Sequence, residues 1–252
     1  MRPIVGIARF VLLEGLRSGL PWLALALIGA SICLAAFLGE VALTETRELQ
    51  AAAGAALLRA GAAFLIPAPV VASSAREASD RVLDLALTLP ISRSTYYTGK
   101  LVGLAGCALL LATAFAMPLI LWSTPAAVVS WWVSFTAQMI LVAVMALFFS
   151  MPLSGLVPAI AATAGLYLLG RSISTIQAIA AGPVMQAQDS GFRAIVDSFS
   201  LLVPRLDAVT RTEWLVYDLP ELGDLLAALA GLAIYCGLLG AAGLFDFSRR
   251  DL

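Results

Sequence analysis

Catalysis needs nucleophiles, bases or metal ligands held close together, and this sequence keeps such groups out of its long apolar runs. It has no histidine. An intramembrane hydrolase or metalloprotease would need histidine or paired carboxylates at depth, and all sixteen acidic residues read as lying at or beyond the ends of the runs. Cys33, Cys107 and Cys236 fall inside the runs as small buried hydrophobes, without disulfide or metal spacing. Gly99–Lys100 has no glycine five residues earlier and is followed by Leu101, so it is not a phosphate-binding loop. No ionisable residue is expected at membrane depth, which argues against proton-coupled transport. Gln138 is the most polar group there. Its ordinary use is an interhelical hydrogen bond, and a place on a transport pathway is the alternative.

The charged groups concentrate instead in 25 residues, Arg76 to Lys100, after which no charge appears until Arg171. Within this island Glu77, Asp80, Arg81, Asp84 and Thr88 mark one side of a helix. Ala78, Val82, Leu85, Ala86 and Leu89 mark the other, with a period near 3.6. Pro90 ends the helix, Ser92 to Thr98 read as a polar turn, and Gly99–Lys100 opens the next apolar run. Asp80 and Asp84 repel at i,i+4, which a basic or polar groove on a partner would relieve. A solvated loop helix is the plain reading; a docking element that passes force into the membrane is the functional one.

The elements that must position this island are membrane spans. Hydrophobic residues make up 61% of the 252, charged residues 12%, and mean hydropathy is +0.97. A soluble domain needs more polar surface. Runs of helix-spanning length, rather than short alternating segments, indicate an all-α polytopic bundle and not a barrel. Six spans are expected, near 20–38, 57–75, 101–122, 128–150, 152–169 and 225–245. The uncharged stretch from Lys100 to Arg171 sets that count, because a span takes about 20 residues and the stretch holds three. Ser123–Thr124–Pro125 and Met151 to Gly155 supply the turns, and Pro67 with Pro69 should kink the second span.

Basic residues set the expected orientation. With a cytoplasmic N-terminus, nine of the fifteen lie inside, including Arg76, Arg81, Arg93 and Lys100. Ten of the sixteen acids fall outside. Both termini and the island are then cytoplasmic, and Trp122, Trp131 and Trp132 form an outer aromatic belt. Residues 1–19 read as an interfacial helix with Ile4, Ala8, Val11, Leu12 and Gly15 on one face, and not as a cleaved signal. Outside lie a short acidic piece, 40–56, and a longer segment, 171–224, expected to carry short helices packed on the span ends. Small residues at Gly103, Gly106, Gly237, Gly240 and Gly243 suggest close helix contacts. The net charge of −1 argues against a nucleic-acid partner.

In order and spacing, Arg76–Glu77, the amphipathic helix, Leu89–Pro90–Ile91–Ser92–Arg93 and Tyr97–Thr98–Gly99–Lys100 resemble the membrane subunit of type-2, export-type ABC transporters. The likeness extends to Leu166–Tyr167–Leu168–Leu169–Gly170–Arg171, to Leu202–Val203–Pro204–Arg205–Leu206–Asp207 and to Arg249–Arg250–Asp251. It implies one permease domain over 1–252 in a bacterial-type cytoplasmic membrane, with a coupling helix between spans two and three. It also implies that Arg76, Glu77, Arg81, Val82, Leu85, Leu89, Pro90, Arg93 and Lys100 form the coupling segment. ATP and magnesium would belong to a separate ABC ATPase subunit, and a second permease half, identical or related, would complete the assembly. The rival expectation is a membrane-embedded relay driven by the same kind of ATPase without cargo.

Overall fold

A computed structural model describes residues 2–42, 45–79, 92–153, 155–181, 190–217 and 219–249. The described residues are helical apart from short connections: α1 (Arg2–Arg17), α2 (Leu20–Val41), α3 (Thr46–Leu65), α4 (Pro67–Ser79), α5 (Arg93–Ala116), α6 (Pro125–Phe149), α7 (Leu156–Ala180), α8 (Ser190–Leu202), α9 (Glu213–Val216) and α10 (Leu222–Arg249). Six stretches are long and apolar enough to cross a membrane, at 20–41, 46–77, 93–121, 125–149, 156–180 and 222–249.

Three boundaries differ from expectation. α7 runs on to Ala180, so residues 171–180 continue a candidate spanning helix rather than begin the outer segment. Residues 40–56 do not form an outer loop. α2 ends at Val41, Glu45 adopts φ 52°, and α3 begins at Thr46. Ala51, Ala55, Leu58 and Ala62 recur at helical spacing and are all buried, so an alanine-rich stripe draws this weakly apolar stretch into the bundle. The polar turn expected at Ser92 to Thr98 is instead the start of α5. Ser92 is its N-cap, and its Oγ accepts from the Thr95 backbone N–H at 3.3 Å. At the proline pair the helix is interrupted at Ile66. α3 ends at Leu65 and α4 starts at Pro67, whose missing N–H removes one rung of the helix ladder.

The bundle is built around α6: 61% of the residues in its most apolar window are buried, against 6% for α10 and 17% for α2. Phe115, Phe135, Met139, Leu141 and Met145 are fully enclosed there. α1 lays its Ile4, Ile7, Ala8 and Val11 face across Gly99 and Gly103 of α5. A Cβ on Gly103 would come within 2.8 Å of the Ala8 carbonyl oxygen, so the missing side chain is what lets the two backbones approach. The face expected to be apolar in residues 1–19 is thus a helix-packing face. α1, the end of α4, the head of α5 and the end of α10 share one end of the bundle, the terminal face. The turn near 121–125, α9 and the 203–212 strap share the opposite face.

Two placements correct the sequence reading of single residues. Trp131 is not on a belt: it is 1% exposed and stacks on Phe135, with ring centroids 4.5 Å apart. Cys33 is exposed on α2 rather than buried, and all three cysteines are free.

Candidate functional site

On the terminal face the two flanks of the charged island meet. α4 delivers Ser74 and Glu77, one helical turn apart, and the first two turns of α5 deliver Tyr96 and Lys100 at i,i+4. The Lys100 ammonium donates to Glu77 Oε2 at 2.7 Å and to Ser74 Oγ at 3.0 Å. Tyr96 donates its hydroxyl to the same carboxylate oxygen at 2.9 Å. The side chains of Lys100 and Glu77 are only 5% and 15% exposed. A buried pair of this kind holds its register firmly, because losing one partner strands the other charge away from water.

More exposed contacts surround this knot. Arg76 reaches Glu14 of α1 at 3.3 Å, and Arg93 donates to the Ser248 carbonyl near the end of α10 at 3.2 Å. Phe247 of α10 stacks against Tyr96 and Tyr97, each with centroids 6.1 Å apart. Four of the nine proposed coupling residues, Arg76, Glu77, Arg93 and Lys100, therefore join α1, α4, α5 and α10. Glu77 and Lys100 pair with each other within the chain. Arg81, Val82, Leu85, Leu89 and Pro90 lie outside the described residues.

A second polar cluster sits inside the bundle, and sequence reading missed its central residue. Arg59, expected at the outer margin of a span, is 3% exposed within the spanning stretch 46–77. Its guanidinium donates to Ser134 Oγ at 2.8 Å, to the Val209 carbonyl at 2.9 Å and to Gln138 Oε1 at 3.3 Å. It also stands over the rings of Trp131 and Phe135, 5.2 and 5.9 Å from their centroids, a cation–π arrangement strengthened by desolvation. Gln138 passes the network on, donating to the Tyr167 hydroxyl at 3.1 Å. Its amide thus makes the interhelical bonds weighed for it, linking α3, α6 and α7. The signal that could have located Arg59 was the run of small residues around it, Ala51 to Ala63, which reads as a buried face carrying one charge.

The same cluster anchors the strap on the opposite face. Val209 is held by Arg59, and the Leu206 N–H donates to the Gly170 carbonyl at 3.2 Å. A Cβ on Gly170 would lie 2.7 Å from the Pro204 carbonyl oxygen. Two motifs distant in sequence, 166–171 and 202–207, thus form one joint. Among the described residues no cluster of histidine, cysteine or carboxylates could hold a metal.

No protein-family model matches this chain, and no curated protein sequence matches it.

Proposed function

We propose that the chain is the permease subunit of an export-type ABC transporter in a bacterial-type cytoplasmic membrane, with both termini and residues 76–100 in the cytoplasm. A separate ABC ATPase, which carries the ATP and magnesium, docks on that segment. A second permease half, identical or related, completes the pathway. α1 lies in the cytoplasmic interface of the bilayer, braced on α5.

The observation that carries this reading is the Glu77–Lys100 pair. It ties the end of α4 to the head of α5, the helices on either side of residues 80–91, with a desolvated ion pair, so in this reading a push on that segment is delivered to two spanning helices at once. The joint between 166–171 and 202–207 adds support, since the weaker motifs of the resemblance also meet in space. In this reading a pathway past Gln138 would require its bonds to Arg59 and Tyr167 to open.

The test is to co-express the chain with an ABC ATPase encoded beside it and to measure co-elution and ATP turnover in nanodiscs. Leu85→Asp should insert normally but lose association and stimulated turnover, because a charge forced into a docking contact costs several kcal/mol, roughly the value of a hot-spot anchor. Unchanged co-elution and turnover would remove the coupling role.

A further inference from the structure

The largest cavity among those described is lined by none of the polar side chains of the two clusters. It has a volume of about 510 Å³ and separates the strap from the first half of α10. One wall is the strap, with Arg205 and Arg211, together with Trp214 of α9. The other is a stripe of α10 running from Asp224 through Gly231 to Leu238. The stripe is shallow because its middle is small: a Cβ on Gly231 would meet nothing within 4 Å. Tyr235 closes one edge, donating its hydroxyl to the Leu202 carbonyl at 3.0 Å.

Charge and exposure differ across this cavity. Among the described residues neither Arg205 nor Arg211 makes an ion pair, and Asp224 is the one acid in the lining, leaving an excess of one positive charge. Arg211 sits over the Trp214 ring, 5.9 Å from its centroid. At the far end Ile234 and Leu238 line the cavity and are also 66% and 65% exposed on a spanning helix. The space therefore opens sideways, from a cationic and aromatic mouth onto an apolar helix flank.

We propose that this cavity is a binding site for a membrane phospholipid with an anionic headgroup. The phosphate takes the Arg205 and Arg211 guanidiniums, whose forked donors match phosphate oxygens, and the acyl chains lie along Ile234 and Leu238. The volume falls within the range of small-ligand sites, roughly 300–1,000 Å³, so it holds the headgroup and glycerol while the tails stay in the bilayer. This inference does not depend on the transporter reading, and either can fail without the other.

The experiment titrates the purified full-length chain in detergent with phosphatidylglycerol or phosphatidylcholine and counts retained lipids by native mass spectrometry. Phosphatidylglycerol should be retained preferentially, one molecule beyond the general annulus. The double variant R205Q/R211Q should weaken that retention about tenfold. Gly231→Leu, which fills the cavity and leaves both arginines in place, should do the same, and it carries the test alone if the arginine variant fails to fold. Equal retention of the two lipids, or retention unchanged in folded Gly231→Leu, overturns the proposal. So does retention of inorganic phosphate in place of lipid, which would assign the arginines to a free anion, or of an acidic peptide, which would assign them to a protein.

Discussion

Lys100 and Glu77 are 23 positions apart in the chain, yet their charged groups lie 2.7 Å from each other in a place nearly closed to solvent. The pair joins the end of α4 to the head of α5, the two helices that flank residues 80–91. Its energetics make it a lock more than a source of net stability, since desolvation offsets much of the attraction.

Lys100→Met should therefore destabilise the protein by about 3–5 kcal/mol by stranding a carboxylate, read as a lowered thermal midpoint in detergent. The double variant Glu77→Leu with Lys100→Met should recover much of that loss. Strictly additive effects would mean that the two groups do not sense each other.

The α1–α5 contact is set by glycine. Gly103→Ala should cost about 1–3 kcal/mol by overpacking against the Ala8 carbonyl. Gly165→Ala is the control: its Cβ has nothing within 4 Å, and alanine is the better helix former by roughly 1 kcal/mol. Thermal denaturation should move the two variants in opposite directions.

Arg59 tests the strap. Lysine keeps the charge but lacks the fork that reaches three acceptors, so Arg59→Lys should leave buried acceptors unpaired at about 1–3 kcal/mol. Hydrogen exchange near Val209 and Thr210 should rise while exchange in α5 stays put. Unchanged protection of the strap would show that its joint with Gly170 suffices.

Topology follows from labelling. In a variant lacking Cys33, Cys107 and Cys236, cysteines at Ser92 and at Ser190 should react from opposite sides of the membrane. Reaction of both from outside intact cells would sink the cytoplasmic placement of residues 76–100.

Six spanning helices were legible in the sequence because that property is local. A chain in hydrocarbon must satisfy its backbone bonds within each helix, so an uncharged run of sufficient length declares itself. The break at Pro67 and the existence of an apolar face on α1 were legible for similar local reasons; that this face packs on α5 was not. Which side of each spanning helix faces its neighbours was not. Lipid and protein interior are equally apolar, so hydropathy does not distinguish them. Trp131 could be read as a belt residue and is a core residue; Arg59 could be read as a margin residue and is buried. Only the tertiary structure brought Arg59 to Ser134, Gln138 and Val209, and Glu77 to Lys100. A buried charge is tolerated only where partners from several elements converge on it, and that convergence is a property of the assembled bundle rather than of any one segment.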